Sequence, residues 1–142
     1  SGHQGASIYW TQLFGSDADK NFVIGPKGAE GTVITPEGKA TFASNVQALS
    51  FDTKSALRYK TNVKKLEESA LDIINKMDIY EYTYKADPNN SKRLGIIADY
   101  VEDERISGEN HDKSDIVNTV GILVKGIQEL YELIGTSSSK TQ

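Results

Sequence analysis

A chain of 142 residues with net charge −4 has room for one domain, or for one domain and an appendage. It has no cysteine, which excludes disulfides, thiol catalysis and cysteine-ligated zinc. It has no basic stripe for nucleic-acid phosphates, no apolar run near the ~18 residues of a membrane span, and no signal-peptide layout.

Residues 1 to about 50 read as β structure. Glycines at 2, 5, 15, 25, 28, 31 and 38 and prolines at 26 and 36 break the chain into short β-prone runs. The runs are Ile8–Trp10, Asn21–Ile24, Thr32–Thr35 and Ala40–Ala43, and Pro36-Glu37-Gly38-Lys39 reads as a turn. Too few large apolar residues are present to close a core, and isolated hairpins are marginal in water. The segment is therefore expected to complete its core with copies from other chains, as a trimeric β structure. A flexible leader is the alternative, but β-branched residues between regular turns are not the composition of disorder.

Ser55 and Lys60 follow, five residues apart, inside the one local basic cluster: Lys54, Arg58, Lys60, Lys64 and Lys65. A serine beside a deprotonated lysine is a two-residue hydrolytic arrangement, in which the amine removes the hydroxyl proton and the oxygen attacks a carbonyl. On a helix, five steps leave two side chains about 140° apart. On a strand, an odd offset puts them on opposite faces. They meet only if the chain bends between them, and by itself the spacing fits a solvated loop equally well.

Residues 55 to 135 read as a compact α+β domain. Leu66, Ala70, Leu71, Ile73, Ile74 and Met77 predict a helix over 64–77. Ile79 to Lys85 alternates as a strand with Tyr80, Tyr82 and Tyr84 on one face. Asp87 to Ser91 is a turn, and Leu94 to Ala98 returns as the second strand of an antiparallel hairpin. Ala98 to Glu102 begins a short helix and Ser107 to Asn110 is a loop. His3 and His111 lack ligand-spaced partners and read as surface histidines, so neither metal nor cofactor is expected.

The last helix starts at a cap, Ser114 or Asp115. Ile116, Val120, Leu123, Ile127, Leu130 and Ile134 then recur at spacings of 4, 3, 4, 3 and 4, a heptad seam. An amphipathic helix packed on its own domain is the alternative. Gly121 and Gly126 weaken a freestanding coiled coil but permit close approach of neighbouring backbone. Gly135 is placed to stop the helix, and residues 136–142 are expected to be a disordered tail.

Three blocks resemble the C-terminal intramolecular chaperone and auto-processing domains of phage tailspikes, tail fibres and neck appendages, of which the endosialidase tailspikes are best known. Ser55-Ala56-Leu57-Arg58-Tyr59-Lys60-Thr61-Asn62-Val63 is similar to the family's Ser-Asp-x-Arg-Leu-Lys-x-Asn-Ile. Tyr82-Thr83-Tyr84, followed by Gly95-Ile96-Ile97-Ala98, resembles its aromatic strand and Gly-x-Ile-Ala-Gln-Glu-Val block. Leu123 to Leu130 resembles its closing Leu-x-x-Ala-Ile-x-Glu-Leu helix. Two departures stand out: Ala56 replaces the aspartate after the serine, and Asp99-Tyr100 replaces Gln-Glu.

The resemblance implies a homotrimer that folds an upstream β-stranded fibre and then cuts itself off. The implied layout is the end of a trimeric fibre shaft over 1–54, the chaperone domain over 55–135 and the tail beyond. Carried over residue by residue, Ser55 is the nucleophile and Lys60 the base. The cut bond is Lys54–Ser55, with Ala56, Arg58 and Asn62 in support. The six seam residues form the trimer interface, and the partners are the other two chains and the fibre segment. Assembly would take place in the host cytoplasm, after which the shaft stays in the virion and the chaperone is released.

A lysine base working near neutrality needs a pKa of about 7–8, against about 10.4 in water, and so needs desolvation or neighbouring cations. Arg58, Lys64 and Lys65 are the candidates for that charge. Two other functions compete: a non-cleaving trimer cap, and a ligand-binding tip with Tyr80, Tyr82, Tyr84 and Tyr100 lining a pocket.

Overall fold

The computed structural model describes residues 8–9, 22–24 and 32–139, with side chains from residue 32. The chain divides into two compact units, Ser1–Thr61 and Asn62–Gln142.

The first unit carries an antiparallel meander of β1 (Ile8–Tyr9), β2 (Phe22–Ile24), β3 (Thr32–Ile34) and β4 (Ala40–Thr41), in that order. Val23 pairs with Tyr9 on one side and Val33 on the other, and Val33 pairs on with Thr41. All four strands fall on the expected β-prone runs. Trp10, Asn21, Pro26 and the glycines before Gly38 lie outside the described residues. The turn from β3 to β4 forms where Pro36 and Gly38 predict it. Gly38 N–H donates to Thr35 O at 2.9 Å, and Gly38 takes φ 86, a region that favours glycine. Among the described side chains of this unit none is buried, and Phe42, Val46, Leu49 and Phe51 are exposed.

The second unit is α+β. Its core is Ala70, Ile73, Val101, Ile106 and Ile122, with Ile74, Met77 and Ile96 packed against it. Helix α1 is Ala70–Ile74, shorter than the 64–77 expected. Its start is fixed by polar capping rather than by the apolar stripe. Ser69 accepts from Asp72 N–H, and the Glu129 carboxylate takes the amides of Ala70 and Leu71 at 2.9 and 3.1 Å. The hairpin is present, with β5 (Tyr80–Tyr82) paired to β6 (Arg93–Gly95) in the register Tyr80↔Gly95 and Tyr82↔Arg93. Asp87 holds its turn by accepting from the amides of Asn89 and Ser91, and those bonds draw its pKa below the usual carboxylate range.

A 3-10 turn occupies Ala98–Tyr100, where a short helix was expected. Helix α2 (Glu104–Ser107), capped by Asp103, has no counterpart in the sequence reading. His111 is not a surface histidine: it is half-buried, with Nδ1 2.9 Å from both Val101 O and Ser107 Oγ. A carbonyl only accepts, so Nδ1 carries a proton, while the Ser107 hydroxyl donates to Asp103 O at 3.1 Å. This serine–histidine pair therefore locks the loop after α2, and the nitrogen that faces Ser107 cannot take its proton.

Helix α3 spans Ile116–Ser138, with Asp115 accepting from Asn118 N–H at 2.8 Å as its cap. It runs through Gly135, the expected stop. The hydroxyls of Thr136, Ser137 and Ser138 donate back to the carbonyls of Leu133 and Ile134 and sustain the last turn. Residues 140–142 of the expected tail lie outside the described residues.

Candidate functional site: the Ser55–Lys60 bend

The chain bends between Ser55 and Lys60, the condition under which the two can meet. Leu57–Tyr59 forms a single 3-10 turn, closed by Tyr59 N–H to Ala56 O at 3.0 Å and Lys60 N–H to Leu57 O at 2.9 Å. Ala56 enters extended (φ −65, ψ 149) and Lys60 leaves extended (φ −124, ψ 151). The turn wraps the chain so that Lys60 Nζ donates to Ser55 Oγ at 2.9 Å. That distance is also the one at which a neutral amine accepts the hydroxyl proton. Both side chains are exposed.

The surroundings are cationic and held by an aromatic ring. Arg58 lies over the Tyr59 ring, 4.6 Å from its centroid, and donates to the Tyr59 hydroxyl at 3.1 Å. Lys54 Nζ lies 5.5 Å from the same centroid. Asn62 contributes a backbone conformation, φ 52, that asparagine tolerates better than most residues. Ala56 is half-buried and offers no polar atom to the pair.

Residues 55–108 match the family described as chaperone of endosialidase, and the match opens on Ser55. Over these residues the chain is similar to that family. The match supports an intramolecular chaperone role. No curated protein and no solved structure matches the chain.

In the second unit the aromatic strand is a packing element. Tyr82 and Tyr84 meet edge to face at 5.4 Å, and Tyr80 meets Tyr100 the same way at 5.9 Å. The Tyr82 ring covers Gly95, where an added Cβ would lie 3.4 Å from its hydroxyl. The hydroxyl contact with Tyr84 raises the Tyr82 pKa, with burial second. Tyr100 also borders a cavity of about 580 Å³ with Ile73, Met77 and Val101.

Beyond the matched residues, α3 presents two faces. One packs on α1: Ile122 and Gly126 are buried, and an added Cβ at Gly126 would lie 2.5 Å from Ile74 Cδ1. The other is bare. Ile116, Val120, Leu123, Ile127, Leu130 and Ile134 are all between 44% and 74% exposed. The sequence reading missed their neighbours Val117, Val124 and Tyr131, which are exposed too and sit one residue after Ile116, Leu123 and Leu130. Their spacing of seven was the available signal. Together the two rows make an apolar face about 100° wide.

Proposed function

We propose that this chain trimerises through α3, templates the folding of the β-stranded segment before Ser55 as part of a phage fibre, and then releases itself by cutting Lys54–Ser55. The observation that carries the cleavage is the 2.9 Å contact between Lys60 Nζ and Ser55 Oγ, at the first residue of the family match. Lys60, as the neutral amine, takes the Ser55 hydroxyl proton. The oxygen bonds to the Lys54 carbonyl carbon, of its own chain or of a neighbour. The carbon–nitrogen bond to Ser55 breaks and Lys60 returns the proton to the leaving amine. Water then hydrolyses the ester, freeing the Lys54 carboxylate and the serine hydroxyl.

The bare face of α3 supports the trimer. A two-helix seam needs only a narrow stripe, whereas a face about 100° wide accommodates two helical neighbours at once. The absence of buried side chains among the described residues of the first unit fits strands that find their core in other copies. A trimeric chaperone holds such strands at high effective concentration and fixes a register in which a one-residue slip would turn every side chain over. Removing the template afterwards leaves the fibre behind a kinetic barrier. The exposed Ser55–Lys60 pair suits that order, because burial on assembly would switch on the base. The reading places assembly in the host cytoplasm, the shaft in the virion and the chaperone free after release.

The test is a time course on a denaturing gel, with sedimentation equilibrium alongside, in an Ala56→Asp background that restores the family's residue. Fragments ending at Lys54 and beginning at Ser55 are expected, and cleavage faster than in the parent. Lys60→Ala and Ser55→Ala should each slow cleavage by about a thousand-fold or more while leaving three chains together. Undiminished cleavage in Lys60→Ala removes the dyad. A trimer that stays whole in every background is a non-cleaving cap, and a monomer at micromolar concentration removes the trimer.

A further inference from the structure

We propose that Tyr59 is the binding site for the residue preceding the cut: its ring holds the Lys54 ammonium and thereby sets the Lys54–Ser55 peptide in place for attack. The inference rests on the dyad reading above and adds a preference for a cationic residue before the serine.

The segment 54–60 carries three cations, Lys54, Arg58 and Lys60, with no carboxylate among them. Among the described residues none of the three makes an ion pair. Repulsion alone would send these side chains apart. Instead Lys54 and Arg58 converge on one ring, at 5.5 and 4.6 Å from its centroid, within the ~6 Å reach of a cation–π contact. Tyr59 ends the 3-10 turn, so its ring is placed by the same backbone bonds that deliver Lys60 to Ser55. The family pattern has leucine at this position, which offers no such face.

The consequence for the chemistry is geometric. In the same-chain attack, Ser55 Oγ reaches the Lys54 carbonyl carbon through a five-membered ring of atoms. Two rotations then decide whether it arrives: Ser55 about its Cα–Cβ bond, and Ser55 about its N–Cα bond, which swings the Lys54–Ser55 peptide and Lys54 with it. The bond from Lys60 fixes the first. Anchoring the Lys54 side chain on Tyr59 restricts the second. A contact of this kind at an exposed site is worth roughly a two- to five-fold change in population, and more once desolvated.

The experiment crosses Tyr59→Leu, Tyr59→Phe and Tyr59→Trp with Lys54→Met in the Ala56→Asp background and reads single-turnover cleavage rates. With Lys54 present, leucine should slow cleavage about two- to five-fold, while phenylalanine and tryptophan keep or exceed the parent rate. With Lys54→Met the leucine penalty should vanish. An equal penalty in both backgrounds, or none in either, overturns the Tyr59 assignment while the dyad stands. Absence of cleavage in every variant overturns the dyad and with it the catalytic part of this proposal. The contact itself is then read by NMR: the Lys54 Hε protons should be ring-shifted upfield in the parent and relax in Tyr59→Leu. Unshifted Lys54 protons in the parent overturn the contact.

Discussion

Glu129 and Lys60 are both charged side chains that reach along the chain to a serine, and they are finished to very different degrees. Glu129, well covered on α3, accepts from the Ala70 and Leu71 amides, from Ser69 Oγ at 3.1 Å and from Lys125 at 3.2 Å. The two amides, ahead of the other partners, hold its pKa down to about 2. Lys60 has Ser55 and open solvent. What one chain completes is scaffold, and what it leaves open is the proposed chemistry. The same division runs along α3, where Ile122 is buried against its own unit while Ile127 stands two-thirds exposed.

The largest effect should come from an aspartate on either side of that division. Ile122→Asp buries a carboxylate without a partner in a core of five buried apolar residues and should cost on the order of 4 kcal/mol, enough to unfold the unit. Ile127→Asp should leave the helical circular dichroism of the single chain intact and abolish assembly, taking cleavage with it. Sedimentation equilibrium beside a melting curve separates the two. An Ile127→Asp protein that remains trimeric with its melting temperature unchanged shows that the bare face is not the interface.

A smaller effect should come from Glu129→Gln. Because the folded-state pKa lies below the ordinary value of 4.5, the charge contributes stability that is complete above about pH 4.5 and lost as pH falls towards about 2. The variant should melt below the parent at pH 7, and the gap should close across that window. Asp87 and Asp103 also have lowered pKa values, but they remain in both proteins and cancel in the difference. A gap that does not change with pH means the carboxylate's charge is not what holds α1.

The sequence carried the pairings of neighbours and missed those of strangers. The β3–β4 turn was readable because Pro36 and Gly38 act locally, whereas the Ser55–Lys60 spacing showed only that a bend is needed for the two to meet. The start of α1 was not readable, since the side chain that takes its first amides lies 59 residues away in sequence. Helix α2 is four residues long, too short for periodicity to register. The His111 bond to Val101 O depends on a backbone φ of 51 that no composition announces. On α3 the seam was plain, but whether it faced its own domain or empty space was not. The pattern of Ile and Leu is the same in both cases, and only the packing of Gly126 on α1 decides which face is taken.

The smallest effect sharpens that last point. Gly121 and Gly126 both sit in the interior of α3, where alanine is better than glycine by about 1 kcal/mol. At Gly121 an added Cβ meets nothing within 4 Å, so Gly121→Ala should gain most of that, raising the melting temperature by roughly 4–8 °C. At Gly126 the same methyl lies 2.5 Å from Ile74 Cδ1 and 3.6 Å from Leu71 Cδ2. Those side chains must shift, which offsets the helix gain, so Gly126→Ala should be less stable than Gly121→Ala. Gly121 follows Val117 by one helical turn and so flanks the bare face rather than lying in its centre. The trimer should therefore dissociate at the same concentration in Gly121→Ala as in the parent. Should dissociation become easier while the single chain melts higher, a neighbouring backbone passes over Gly121, and the interface extends further around α3 than the two apolar rows.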